Sequence, residues 1–189
     1  MNIKHYKQQL LYELYKPFLQ CTKCPLAKDR TSIIFGEGNP DASLMIIGEG
    51  PGKEEDKQGR PFVGRSGKLL DNIFNLLSIK RSSLFISNIV KCRPPQNRKP
   101  TSYEMKTCTD LLLKHQIKII NPTVVCTLGA TALQALTNET TPISKARGIP
   151  ISIKSDFTLI PTYHPAYILR NPKELQKMVN DIKKAFSLL

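Results

Sequence analysis

Leu44-Met45-Ile46-Ile47-Gly48-Glu49-Gly50-Pro51-Gly52 decides the fold. Four apolar residues run without a polar break and then meet three glycines within five positions. A run so short, apolar on both faces, predicts a strand covered on both sides, as in parallel sheets flanked by helices. Three further runs repeat the pattern at residues 84–90, 124–128 and 157–161, each closing on a polar or glycine-bearing turn. Helical stripes lie between them. One is Leu69, Leu70, Ile73, Phe74 and Leu77. Another is Met105, Cys108, Leu111, Leu112 and Ile119, led by Thr101 or Ser102 with Glu104 just inside. Residues 129–137 predict a short helix. Residues 172–189 predict a last one, with Asn171 as N-cap and Pro172 first. Leu10, Leu11, Leu14 and Phe18 suit an amphipathic opening helix. Strands alternating with helices predict an α/β protein, a three-layer α/β/α sandwich around a central four-stranded parallel sheet. One domain over residues 1–189 is expected.

The chain carries 28 Lys and Arg against 15 Asp and Glu, a formal net charge of +13. That excess favours a polyanionic partner, nucleic acid first. Hydrophobic residues make up 40%, enough for one core. No apolar run approaches the roughly 20 residues of a membrane span. Residues 1–18 mix Lys, Gln, Tyr and Leu rather than forming the apolar centre of a secretory signal. No membrane role is expected. A cytoplasmic monomer is, with thiols that ligate rather than pair.

In a parallel sheet, ligands bind beyond the carboxyl ends of the strands. The turn after residue 47 has glycines that admit a ligand to the backbone, but Glu54, Glu55 and Asp56 oppose phosphate and the Gly-Lys-Ser/Thr ending is missing. A carboxylate beside a sugar or base fits better, and Glu49 directly follows the strand. Phe62, among polar and flexible neighbours, is either a stacking platform for a base or a ring tucked under its own loop. Ser66 and Gly67 open the next helix, whose amides suit a phosphate. Asn88 closes a strand. Its amide offers donor and acceptor side by side, matching a pyrimidine edge. His164, held before Pro165, is placed for an acid or electrophile, whereas His5 and His115 fall in helical segments. Ile168 and Leu169 beside Arg170 suit insertion into a base stack, or packing of the last helix.

Cys21 and Cys24 form a C-x2-C-P turn with Pro25, and Cys92 precedes Arg93, Pro94 and Pro95. With Cys108 they supply four thiolates, enough for an iron–sulfur cluster or a zinc ion. Cys126, inside an apolar run, reads as a core thiol.

Four motifs occur in order: Gly48-Glu49-Gly50-Pro51-Gly52 with Glu55-Asp56; Gly59-Arg60-Pro61-Phe62-Val63-Gly64; Asn88-Ile89-Val90-Lys91-Cys92-Arg93-Pro94-Pro95; and His164-Pro165-Ala166-Tyr167-Ile168-Leu169-Arg170. Together with the four cysteines they resemble the family 4 uracil-DNA glycosylases, the iron–sulfur branch of that superfamily. The resemblance runs from about Cys21 to the last helix. It implies a DNA repair enzyme that hydrolyses the N-glycosidic bond of uracil in single- or double-stranded DNA and leaves an abasic site. It implies a [4Fe–4S] cluster on Cys21, Cys24, Cys92 and Cys108, with a structural role. The cluster would pin the loop carrying Arg93, Arg98 and Lys99 against the DNA backbone.

By the same resemblance, uracil is flipped from the duplex and stacks on Phe62, while Asn88 pairs with N3–H and O4. Glu55 crowds C5 against thymine's methyl. His164 donates to O2, amides near Gly50 add donors, and Glu49 faces the cationic sugar. Ser66, Lys91 and Arg170 grip phosphates, and Ile168 and Leu169 form the wedge. A related subgroup that traps its product covalently carries an insertion with a reactive His. Gly64-Arg65-Ser66-Gly67 has none, so simple hydrolysis is expected. Other branches place an Asp where Gly50 stands, so either Glu49 activates water or the step is dissociative and needs no strong base. Two other classes fit parts of the chain. A non-catalytic DNA-binding module leaves Glu49, Asn88 and His164 unused, and a nucleotide phosphotransferase would require Mg²⁺.

Overall fold

The computed structural model describes residues 2–153 and 156–189. Its elements follow in the order α1 (Ile3–Tyr15), β1 (Glu37–Gly38), β2 (Leu44–Gly48), α2 (Lys53–Gln58), α3 (Arg65–Leu76), β3 (Phe85–Asn88), α4 (Ser102–Cys108), α5 (Lys114–Ile120), β4 (Val124–Leu128), α6 (Ala130–Thr137), α7 (Ile143–Ala146), β5 (Ile151–Ile153), β6 (Phe157–Thr162), α8 (Pro165–Arg170) and α9 (Leu175–Phe186). A π turn, Thr109–Leu113, joins α4 to α5.

The strands form one sheet ordered β1-β3-β2-β4-β6-β5. β3, β2, β4 and β6 are parallel and coincide with the four apolar runs. Antiparallel β1 and β5 close the edges, so the expected four-stranded sheet is the centre of a six-stranded mixed one. The edges are too short to declare themselves: β1 is Glu-Gly, and β5 has three residues, too few to alternate.

Both faces of the parallel centre are covered. Leu44 and Ile46 pack with Phe74 of α3, Ile168 of α8 and Ile182 of α9, and Cys126 is buried on this side too. Met45 and Ile47 point the other way, toward Leu11 of α1, Ile120 of α5 and Ala132 of α6. Strand alternation therefore supplies two cores from one apolar run. Thr101 is the cap of α4. Its hydroxyl accepts from Glu104 N–H, and the Glu104 carboxylate accepts from Thr101 N–H at 2.7 Å. The final helix starts later than expected, because Pro172–Glu174 form a 3₁₀ turn and the Asn171 side chain donates to the Tyr167 carbonyl instead of capping.

Parallel strands deliver their carboxyl ends to one edge. There Gly48 stands opposite Asn88 in register, and Leu128 stands opposite Thr162.

Candidate active site

A cavity of about 440 Å³ lies at that edge. It is lined by Glu49, Gly50, Glu55, Phe62, Ser66, Asn88, His164 and Arg170. Pro51 and Gly52 of the glycine turn, with Pro94, Asn97, Arg98, Ala166 and Tyr167, complete the wall; of the last five only Arg98 is given a role from sequence, against the DNA backbone. Their distinguishing signal is only their nearness to Cys92 and His164.

The segment after β2 contains a helix, α2, where the sequence suggests only a turn. Its six residues are polar all round, so no periodicity marks it. Glu55 organises this corner. Its carboxylate accepts from the backbone N–H of Gly52 at 3.1 Å, Val63 at 3.0 Å and Gly64 at 2.8 Å. Asp56, buried beside it, accepts from the N–H groups of Thr31 and Ser32. Glu55 therefore lines the cavity and also pins the loop that carries Phe62.

Phe62 has φ +52°, an uncommon conformation for a bulky residue. Arg81 holds this turn by donating to the Pro61 carbonyl at 2.7 Å, and Gly67 lies directly beneath it. A Cβ at Gly67 would stand 1.9 Å from the Phe62 carbonyl oxygen. A Cβ at Gly48 would come within 2.4 Å of the Phe62 ring and 2.5 Å of Asn88 Oδ1. The missing side chain at Gly48 lets a ring and an amide share the floor of the cavity. Phe62 is 6% exposed, so the ring is both tucked under its loop and part of the wall.

Asn88 is 1% exposed, and among the described residues its Oδ1 has no hydrogen-bond partner. A buried carbonyl left in that state is costly unless a ligand supplies the donor. The His164 ring centre lies 6.2 Å from that of Phe62. His164 caps α8: its Nδ1 accepts from Ala166 N–H at 3.0 Å. Neutral imidazole then carries its proton on Nε2. Burial, and secondly the Arg170 cation, pull its pKa down to about 4, with Glu55 acting in the opposite direction.

Two expected DNA contacts lie elsewhere. Lys91 is 1% exposed and bonded to Ser87, Gln116 and the Asn88 carbonyl, so it cannot reach a phosphate. Ile168 is 2% exposed and packs in the core beneath α8, so it is no wedge, whereas Leu169 is exposed. The segment read as an exposed loop is a helical turn, and that turn buries Pro165 and Ile168, three positions apart on one face. Arg98 is engaged as well: its guanidinium grips the buried Glu104 carboxylate at 2.7 and 2.8 Å. Ser66 and Arg170 remain at the cavity rim.

Cys21, Cys24, Cys92 and Cys108 line a second, small cavity with Arg30 and Lys91. All are free thiols. Arg30 Nη1 lies 3.7 Å from Cys92 Sγ. Burial pushes the Cys92 thiol up to about 12, against the pull of Arg30. Among the described residues, no three His, Cys, Asp or Glu side chains stand close enough to hold a single metal ion.

A profile of the Uracil DNA glycosylase superfamily matches residues 35–187. The chain is 46% identical over 186 residues to a type-4 uracil-DNA glycosylase of Thermotoga maritima, spanning 97% of this chain and 96% of that one. It is 40% identical over 182 residues to the Sulfurisphaera tokodaii type-4 enzyme, covering 92% and 82% of the two chains. Against the Archaeoglobus fulgidus type-4 enzyme the identity is 36% over 181 residues, with 92% and 90% covered. Likeness of this extent, over a sheet whose carboxyl edge gathers Glu49, Asn88 and His164 in one cavity, places the chain in the uracil DNA glycosylase superfamily, in its type-4 branch.

Proposed function

We propose that this chain is a monofunctional uracil-DNA glycosylase, a DNA repair hydrolase that releases uracil and leaves an abasic site. One observation carries the reading: Asn88, whose Oδ1 has no partner among the described residues, lines the same cavity as a histidine whose Nδ1 is already bonded, leaving Nε2–H to donate. An acceptor and a donor in one small cavity suit the N3–H and O2 of a flipped uracil. Flipping costs a few kcal/mol. The exposed Leu169 and phosphate contacts from Ser66 and Arg170 offset it. Phe62 stacks on the base, and Glu55 fixes the loop that presents the ring while crowding C5.

As the bond from N1 to C1′ breaks, its electron pair moves into the uracil ring and toward O2. His164 Nε2–H and amides near Gly50 stabilise that charge. Glu49 faces the cationic sugar; water adds at C1′, its proton passes to the Glu49 carboxylate, and the departing uracil anion is protonated in turn. Single- or double-stranded uracil-containing DNA is the partner of a cytoplasmic monomer. Among the described residues, no helix is long and apolar enough to cross a membrane. A uracil-bearing oligonucleotide, incubated with EDTA and then treated with alkali, is expected to break at the uracil position. Binding without breakage would mark a DNA-binding module, and a need for Mg²⁺ would mark a phosphotransferase.

The four thiols, gathered on one cavity, are a donor set that fits a [4Fe–4S] cluster. The cysteines surround a common cavity flanked by two cationic side chains, which suits a thiolate cluster of net negative charge. When bound, the cluster supplies a brace for the 92–108 segment. Pro94, Asn97 and Arg98 of that segment form part of the uracil cavity. Cys92→Ser is expected to strip the iron and lower stability by about 4 kcal/mol or more, as loss of a structural metal does. Iron analysis and thermal melting check it. A colourless wild-type protein with stoichiometric zinc would overturn the assignment.

A further inference from the structure

Lys91 joins the two cavities. Its ammonium makes three hydrogen bonds, to Ser87 Oγ at 2.6 Å, Gln116 Oε1 at 2.6 Å and the Asn88 carbonyl oxygen at 2.8 Å. All three donors are thereby spent. Ser87 donates its own proton to the Phe35 carbonyl at 3.0 Å, and Gln116 Nε2 donates to Tyr15 and Phe35, so the knot is internally matched. On its other side Lys91 lines the cysteine cavity beside Cys92 and Cys108. Asn88, by contrast, has a side-chain oxygen without a partner among the described residues, so this grip of Lys91 on its main chain helps fix where its amide stands.

We propose that Lys91 is a positioning residue that holds Asn88 in place for the pyrimidine. The proposal rests on the role given to Asn88 above.

The test is a double-mutant cycle in the full-length protein. Single-turnover uracil release, DNA affinity and iron per chain are measured for Lys91→Met, Ser87→Ala, Asn88→Ala and the two doubles. Lys91→Met keeps the stem and removes the donors, and about 100-fold is expected to be lost from the chemical rate, as for a small misplacement of a reacting group. Ser87→Ala removes one of three acceptors and is expected to lose about 5-fold, one hydrogen bond's worth. DNA affinity stays level in both. In the Asn88→Ala background both losses shrink to about twofold or less, because the residue they act through is gone. A lysine that merely supports the core would slow every background by the same factor, and such additivity overturns the proposal. Unchanged release in the single variants overturns it too. If Lys91→Met does not fold, Ser87→Ala completes the cycle on the same criterion. An Asn88→Ala protein as fast as wild type would sink the pocket reading itself, a failure distinct from additivity.

Discussion

His164→Ala is expected to slow uracil release by about 10²–10³-fold in single-turnover assays, the usual loss when one donor to a developing anion is removed. The expectation follows from the tautomer. Nδ1 accepts the Ala166 N–H at 3.0 Å, so the neutral ring offers Nε2–H to the cavity. Burial, then Arg170, hold its pKa at about 4, against Glu55. The working form is a neutral donor, and the rate should be level from about pH 5 to pH 8 with no step at the ordinary histidine value of about 6.5. A cationic acid would instead lose activity as pH rises through about 6.5. Stability carries the same signature. The unfolded chain binds this proton below about 6.5 and the folded chain only below about 4, so the unfolded state holds more protons in between. Stability contributed by the neutral ring is present above about 6.5 and falls as pH drops toward 4. His164→Ala should flatten that limb in denaturant titrations at successive pH values. A wild-type release rate in the variant would end the assignment.

The central sheet was legible because Leu44, Ile46, Met45 and Ile47 must feed two cores, which leaves an unbroken apolar run as its trace. The gathering of Glu49, Asn88 and His164 was legible for a topological reason: parallel strands deliver their ends to one edge. Lys91 was not. A lysine between apolar residues and Cys92-Arg93 reads as a surface cation by type. The groups that bury it come from Ser87 and from Gln116, a residue 25 positions away that leaves no local mark. Ile168 did have a signal. A potential cap followed by Pro165 is a helix start, and an apolar residue one turn in faces the core. The edge strands and α2 were hidden by shortness, since periodicity needs several residues to show.

Asn88→Ala should cost about 30- to 10³-fold in kcat/KM for uracil, two hydrogen bonds of roughly 1–2 kcal/mol each. It should also erode selectivity, which is the more specific consequence. Uracil presents N3–H as donor and O4 as acceptor, whereas cytosine presents N3 as acceptor and an amino group as donor. An amide fixed in one orientation satisfies the first and leaves both of its ends unpaired against the second, a mismatch of the kind that gives large discrimination. The orientation is fixed by packing: Oδ1 lies against Gly48, whose absent Cβ would otherwise come within 2.5 Å of it, and the Asn88 carbonyl is gripped by Lys91. Oδ1, without a partner among the described residues, gives the apo protein a standing cost that uracil relieves and cytosine does not. Alanine removes both the attraction and the penalty, so the ratio of uracil to cytosine release falls even as uracil release slows. Phe62 still offers its face to either base, which keeps affinity for a flipped pyrimidine while abolishing the choice between them. A variant that lost rate but kept the full ratio would show that selection lies elsewhere in the cavity, and one that lost neither would remove Asn88 from the site.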